Sequence, residues 1–140
     1  MYDLKVTEEQ ARLIQKSLDL YSRILIGQFE EISNVILWDV LEWSDFEGNQ
    51  VPCEKIHQFK DRIGLLKQEL LGIPPNASHG IHSEKVSDNA RKAYDIQKVI
   101  RHRIAWDNLK EGQTPFGVNF DEPDISSNDE NYKLPTMDKK

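Results

Sequence analysis

The residues best suited to binding chemistry lie in one stretch of the chain, Ser87–Asn108, and they are basic or aromatic. They are Arg91, Tyr94, Lys98, Arg101, His102, Arg103 and Trp106. The first four repeat at intervals of three, four and three residues, so a helix would place them in one stripe. Guanidinium groups bind phosphate through paired hydrogen bonds, and aromatic rings can stack on a base. The stripe therefore predicts a site for a small phosphorylated, nucleotide-type ligand, with a solvated face neutralised by Asp95 as the alternative.

A second candidate cluster surrounds Gly27, which should break or bend the helix that precedes it. Arg23 and Gln28 flank this glycine, and we expect them to line a pocket where the first two helices meet. The alternative is a turn closed by a local ion pair with Glu30. Both arrangements start from the same bend, so the sequence does not distinguish the pocket from the turn.

The chain lacks the residue patterns on which most enzymes depend. Cys53, beside Pro52, shows no pairing with a base or a helix that the sequence can establish, and no glycine-rich phosphate loop is present. His79 and His82 lie in a loop rich in Gly and Pro without further ligands nearby, whereas zinc sites usually need three or four. We therefore expect a non-enzymatic protein with no catalytic residues, no metal site and no cofactor.

Hydrophobic periodicity predicts four helices that would position these clusters. The first starts at a capping box formed by Thr7 and Gln10 and continues for about 18 residues. The others span Gln28–Trp43, Pro52–Gly72 and Ser87–Asn108. These segments predict an all-α fold: an antiparallel bundle of about four helices over residues 1–110, followed by an extended, partly disordered arm over residues 111–140.

Two further segments should contribute to packing. Gln28–Trp43 is apolar over much of its circumference, so we expect it to be the most buried helix or to face a second subunit, most simply in a symmetric homodimer. In the arm, Phe116–Phe120 should dock through its two aromatic residues, either on the helices or on a neighbouring subunit. The residues after Asp124 are acidic and poor in apolar side chains, so their removal should change little.

The composition limits the class of protein. The chain has 140 residues, of which 38% are hydrophobic, and a formal net charge of -6. An acidic chain is a poor general binder of nucleic acids, although a local positive site is compatible with it. No apolar run is long enough to span a bilayer, and the N-terminal residues lack the apolar core of a signal peptide. Together with a single cysteine, these features favour a cytoplasmic protein.

Three strings of the sequence resemble a group of small uncharacterised proteins from bacteriophages and prophages. They are LYSRILIGQFEEI (Leu20–Ile32), ARKAYDIQKVIRHRIAWDN (Ala90–Asn108) and GVNFDEP (Gly117–Pro123). The group has no function to transfer, but the resemblance implies a phage setting and an accessory role such as countering host defence.

Two classes of function are compatible with these observations. The first is sequestration of a small phosphorylated signal, in which the arginines and Lys98 would meet phosphates while Tyr94 and Trp106 stack a base. The second is a protein-interaction module that inhibits or redirects a host protein through an acidic, aromatic-containing surface.

Overall fold

The computed structural model describes residues 4–40, 44–110, 113 and 123–138. These residues form four α-helices, one π-helical segment and no β-strand. The helices are α1 (Glu8–Leu25), α2 (Glu30–Val35), α3 (Cys53–Leu71) and α4 (Asp88–Asp107), and the π-helical segment is Ile36–Val40. The prediction of an all-α helical bundle is confirmed.

Local sequence signals set the ends of three helices. Thr7 and Gln10 form the expected capping box at the start of α1. The Ser87 hydroxyl accepts a hydrogen bond from the amide of Ala90 and so caps α4. Gly72 ends α3 with φ 66°, a left-handed conformation that glycine adopts readily because it has no Cβ.

α1 packs antiparallel on α4, and this pair forms the largest contact between helices in the described residues. At one end, Asn108 Nδ2 donates to Glu8 Oε1 over 3.2 Å. Further along, Gln15 Nε2 donates to Gln97 Oε1 over 3.2 Å. The apolar side chains that these two helices bury are mostly small: Ala11, Ala90, Ala93 and Ile104. Both apolar burial and polar contacts therefore stabilise the pair of α1 and α4.

A tight turn at Gly27 redirects the chain from α1 into α2. Gly27 has φ 91°, and a Cβ at this position would lie only 3.0 Å from Ile73 Cδ1. Both the conformation and the close contact favour glycine. The amide of Gln28 donates to the Arg23 carbonyl over 2.8 Å, so the turn is closed by the backbone. α1 and α2 therefore meet at the bend that the sequence predicts.

α2 and the π-helical segment take the place of the single helix predicted for Gln28–Trp43, whose residues 41–43 lie outside the described residues. This part of the chain is not the most buried one. Ser33 and Leu37 are buried, but Trp38 is 62% exposed. α4 buries six residues, because it contacts α1 and also the C-terminal segment described below.

α3 is held by α2 and by the connector that follows α3. A Cβ on Gly64 would lie 2.9 Å from Pro75 Cβ, so the absence of a side chain allows this close approach. Lys67 is 1% exposed, and its Nζ donates to the carbonyls of Pro75 and Ala77 over 2.7 and 2.8 Å. Glu30 Oε2 lies 3.9 Å from the same ammonium group. The two carbonyl groups accept hydrogen bonds from the ammonium, and the Glu30 carboxylate contributes an opposite charge nearby.

The C-terminal segment, residues 123–138, has neither helix nor strand, and its residues 124–132 contact α4. Asp95 on α4 is 0% exposed, and its carboxylate accepts hydrogen bonds from the amides of Ser126 and Ser127 over 2.9 and 3.1 Å. The arm therefore contacts the helices through residues that the sequence suggested were dispensable. Phe116–Phe120, which was expected to dock, lies outside the described residues.

Replacing Lys67 with methionine should lower the free energy of unfolding by about 2–4 kcal/mol, because it leaves two part-buried carbonyl groups without a donor. Methionine keeps most of the side-chain volume, so lost packing should contribute little. Chemical denaturation followed by circular dichroism gives the difference, and Lys16→Met at an exposed position of α1 is the control. Equal stability of the two variants would contradict the anchoring role of Lys67.

Deleting residues 125–140 should lower the free energy of unfolding by about 2–4 kcal/mol, because the buried carboxylate of Asp95 loses both amide donors. Deleting residues 138–140 is the control, since the hydrogen bonds that the structure describes between residues 124–132 and α4 stay in place. Thermal denaturation of the two truncated proteins separates them. If both unfold like the full chain, Asp95 does not depend on the segment.

Candidate functional site

Arg91, the first basic residue of the predicted stripe, is buried and bonded within the fold. Its side chain is 4% exposed, and Nε donates to the Ile81 carbonyl over 3.1 Å while Nη2 donates to the Ser83 carbonyl over 2.8 Å. Asp88 Oδ1 lies 3.9 Å from Nη1. Arg91 thus anchors the loop before α4, and its guanidinium group is not accessible to a phosphate. This corrects the expectation that Arg91 binds a ligand.

Lys98 and Tyr94 belong to the contact between α4 and the C-terminal segment. Lys98 Nζ lies 4.9 Å from the centre of the Tyr94 ring, within the range of a cation–π interaction. The same ammonium donates to the Asp124 carbonyl over 2.7 Å and lies 3.5 Å from Asp95 Oδ1. Lys98 therefore neutralises the buried carboxylate and holds the segment, which leaves little of its charge for an external anion.

The other predicted binding residues, Arg101, His102, Arg103 and Trp106, lie in the last turns of α4. Arg103 binds Asp107 through two contacts, Nε to Oδ2 at 3.0 Å and Nη2 to Oδ1 at 2.9 Å. The rings of His102 and Trp106 lie 5.4 Å apart, and Arg101 is exposed. The predicted binding residues are thus divided: Arg91 and Lys98 are bonded to loop segments, whereas Arg101 and Trp106 remain exposed at the surface.

Arg23 and Gln28 lie together beside the bend between α1 and α2. Arg23 Nε donates to Asp19 Oδ2 over 2.7 Å, and Nη1 donates to Gln28 Oε1 over 3.0 Å and Glu31 Oε1 over 3.3 Å. Burial by itself lowers the pKa of Arg23, but the hydrogen bond to Asp19 and the charges of Asp19 and Glu31 outweigh it and raise the pKa. The ion pair considered with Glu30 forms instead with Asp19 and Glu31.

A cleft of about 480 Å³ opens between α1 and the α2–π-helical segment. Its apolar lining consists of Leu20, Val35 and Trp38, and its polar lining consists of Gln15, Lys16, Asp19, Arg23, Glu31, Asn34 and Asp39. The lining holds three acidic and two basic side chains, so the cleft is slightly acidic. Its volume falls within the range of small-ligand sites. Arg23 lines this cleft, whereas Gln28, which was expected beside it, is not among the lining residues. That the cleft binds a ligand stays a prediction.

The π-helical segment determines which side chains reach this cleft. Its hydrogen bonds span five residues instead of four, which shifts the positions that follow relative to an α-helix. Leu37 is buried, whereas Trp38 is exposed at the cleft beside Asp39. Sequence reasoning missed this division because the apolar run Val35–Trp38 hides any periodicity. π-helical turns occur often at functional sites, so this segment makes the cleft a candidate binding site.

Sequence reasoning also missed a charged cluster at the first turn of α4. Asp88 Oδ1 accepts from the amide of Asn128 over 2.8 Å, and Lys92 Nζ bridges Asp88 and Asp129 at 3.2 and 2.7 Å. The Asn128 amide is the main cause of the lowered pKa of Asp88, and Lys92 is the main cause of the lowered pKa of Asp129. Asp129, followed by Asp88, raises the pKa of Lys92.

The described part of the chain offers neither a metal site nor a membrane-spanning helix. No three His, Cys, Asp or Glu side chains there form a group that could hold a metal ion. None of the described helices combines the length and apolarity needed to cross a bilayer.

Acid should loosen the contact between α4 and residues 126–129. Asp88 and Asp129 stabilise the folded state above the ordinary carboxyl pKa of about 4, and this contribution is lost as the pH falls through their lower folded values. Lys92, with its raised pKa, contributes below about pH 10.4 and loses its effect as the pH rises through its folded value.

The amide resonance of Asn128, followed by NMR from about pH 6 to pH 2, reports the acid transition. Asp88→Asn keeps an acceptor oxygen but removes the charge, so it should flatten the part of the transition that Asp88 causes. A resonance that does not move over this range would contradict the assignment.

Comparison with known proteins gives no match: no protein-family model fits the chain, and no curated protein or solved structure is significantly similar to it. The resemblance to phage proteins therefore stays a prediction. The surfaces described above therefore provide the only basis for a functional proposal.

Proposed function

We propose that the protein is a non-enzymatic interaction module that binds a segment of another protein in the cleft between α1 and α2. One observation supports this proposal above all: the apolar side chains of Leu20, Val35 and Trp38 lie beside charged groups that already have partners. Peptide-binding grooves share this composition, since apolar side chains of the peptide supply affinity and polar groups at the rim orient it.

The charge of the cleft favours a peptide over a phosphate group. Arg23 is bonded to Asp19 and Glu31, so a phosphate would have to displace one carboxylate or lie beside both. Asp39 adds another negative charge at an exposed position of the lining. Repulsion between like charges opposes anion binding here, whereas a neutral or basic peptide meets no such cost.

The size of the cleft fits a short segment. Along α1 its lining extends from Gln15 to Arg23, a distance of about 12 Å at 1.5 Å per residue. Two helical turns or roughly four extended residues fill this length. The best ligand is a segment with an aromatic or branched apolar residue against Trp38 and Val35, and with an Arg or Lys directed toward Asp39.

Sequestration of a small nucleotide-type anion is the second candidate, and the end of α4 is the surface that supports it. Arg101 is exposed there, and Trp106, which is 40% exposed, offers a ring beside His102. The C-terminal end of a helix carries a partial negative charge, which weakens anion binding. Arg103 is also held by Asp107. This candidate therefore ranks second.

The setting that we propose is a cytoplasmic accessory protein of a phage. Its target would be a host protein for the first candidate and a host signal for the second. The protein would act by occupying its target, without catalysis of its own. The phage setting follows from the sequence resemblance alone.

Site-specific photo-cross-linking in cells tests the first candidate. A photoreactive amino acid in place of Asp39, at the exposed rim of the cleft, should capture a partner protein. Mass spectrometry then identifies the cross-linked peptide and shows whether it carries the apolar and basic residues that we expect. The same amino acid in place of Glu84, exposed in the connector before α4, is the control and should capture much less of that partner.

Two tryptophan variants sharpen this test. Trp38→Ala should lower the yield of the Asp39 adduct by about tenfold, because an interface tryptophan often contributes 2 kcal/mol or more to binding. Trp106→Ala, at the far end of α4, should leave the yield unchanged. Adducts that are insensitive to Trp38→Ala would count against the cleft. A nucleotide that raises the melting temperature of the wild type but not of Arg101→Ala would support the second candidate.

A further inference from the structure

α3 has an apolar stripe that the described residues leave partly uncovered. Ile56, Phe59, Ile63, Leu66 and Leu70 follow one another at intervals of three, four, three and four residues, which places them on one side of the helix. Ile56 is buried, whereas Phe59, Leu66 and Leu70 are 38%, 49% and 66% exposed. Among the described helices, α3 contacts α2, which leaves one edge of the stripe open.

The spacing of this stripe is the one by which two helices pack side by side. Intervals of three and four residues place an apolar side chain toward the partner helix at every turn. α3 has 19 residues and is therefore about 28 Å long. The stripe occupies most of that length, so a second helix could lie along it without a change in the fold.

Charged side chains at the open edge identify a second copy of α3 as the best partner. Lys55, Arg62 and Glu69 are spaced by seven residues and form one row beside the stripe. Lys55 and Glu69 are about 21 Å apart on the same helix, so they cannot pair with each other. In an antiparallel pair, Lys55 of each copy lies opposite Glu69 of the other. A parallel pair would instead bring Lys55 near Lys60 of the other copy.

We infer that α3 is a homodimerisation surface, through which two copies of this chain pair antiparallel along Phe59, Leu66 and Leu70 with Lys55 of each copy against Glu69 of the other. The two Arg62 side chains then approach near the two-fold axis, and their repulsion weakens the pair. A contact of one helix against another belongs to the small class of interfaces. The dimer should therefore form reversibly. This inference concerns a surface separate from the cleft and does not rest on the proposed function.

Sedimentation equilibrium of the full chain between about 10 µM and 1 mM measures the self-association. Leu66→Asp should raise the dissociation constant at least about tenfold, because it places a charge in the centre of the stripe. Leu13→Asp is the matched control: Leu13 is 65% exposed, but it lies on α1, outside the stripe and its charged row, and should have little effect. Circular dichroism of both variants verifies that they remain folded.

Exchange of charges tests the antiparallel register. Lys55→Glu and Glu69→Lys should each weaken self-association, because each creates two pairs of like charges in the homodimer. An equimolar mixture of the two variants should associate more tightly than either alone, since both pairs are then opposite in charge. Lys55 also attracts Asp45 within the chain. Mixing cannot repair that intramolecular loss, so recovery in the mixture reports the contact between copies.

Several results would overturn the inference. One is a chain that stays monomeric over the whole concentration range, and another is a dimer that Leu66→Asp does not weaken. A mixture of the charge variants that associates no better than either variant alone would also overturn it. Trp38→Asp should leave the dimer intact; dissociation by this variant with no effect of Leu66→Asp would assign the contact to the π-helical segment instead.

Discussion

The buried carboxylate of Asp95 is the constraint around which α4 and its neighbours are arranged. A carboxylate removed from water is costly unless hydrogen bonds replace those that water made. Here the replacements come from the amides of Ser126 and Ser127 and from the ammonium of Lys98. Because the amides lie more than thirty residues further along the chain, the C-terminal segment has to return to α4. In doing so it covers basic residues that would otherwise face solvent.

The same kind of interaction recurs at two other points of the fold. Arg91 binds two carbonyl groups of the loop before α4, and Lys67 binds two carbonyl groups of the connector after α3. Segments without regular structure have backbone groups that lack a helical partner, and charged side chains on the helices satisfy them. The described residues bury seven polar or charged side chains and seven apolar ones. Ionic hydrogen bonds therefore order the loops of a chain whose apolar core is small.

Features that depend on neighbouring residues could be predicted from the sequence, and features that depend on distant ones could not. Helix caps and the bend at Gly27 follow from local chemistry, and so does the position of Arg23 beside a pocket. A basic stripe, however, looks the same in sequence whether it meets a phosphate or a loop carbonyl, so the burial of Arg91 was not foreseeable. Leu37 is buried and Trp38 is exposed because of a π-helical turn, which cannot be recognised in the continuous apolar run.

The two basic anchors also restrict how the length of the connector can vary. Surface loops usually tolerate insertions and deletions. Here Lys67 donates hydrogen bonds to the carbonyls of Pro75 and Ala77, and Arg91 donates to those of Ile81 and Ser83. One added residue between these pairs would displace a carbonyl by about 3.4 Å, which is as long as a hydrogen bond itself. Evolution of this chain should therefore change loop length between α2 and α3 while preserving the residue count between α3 and α4.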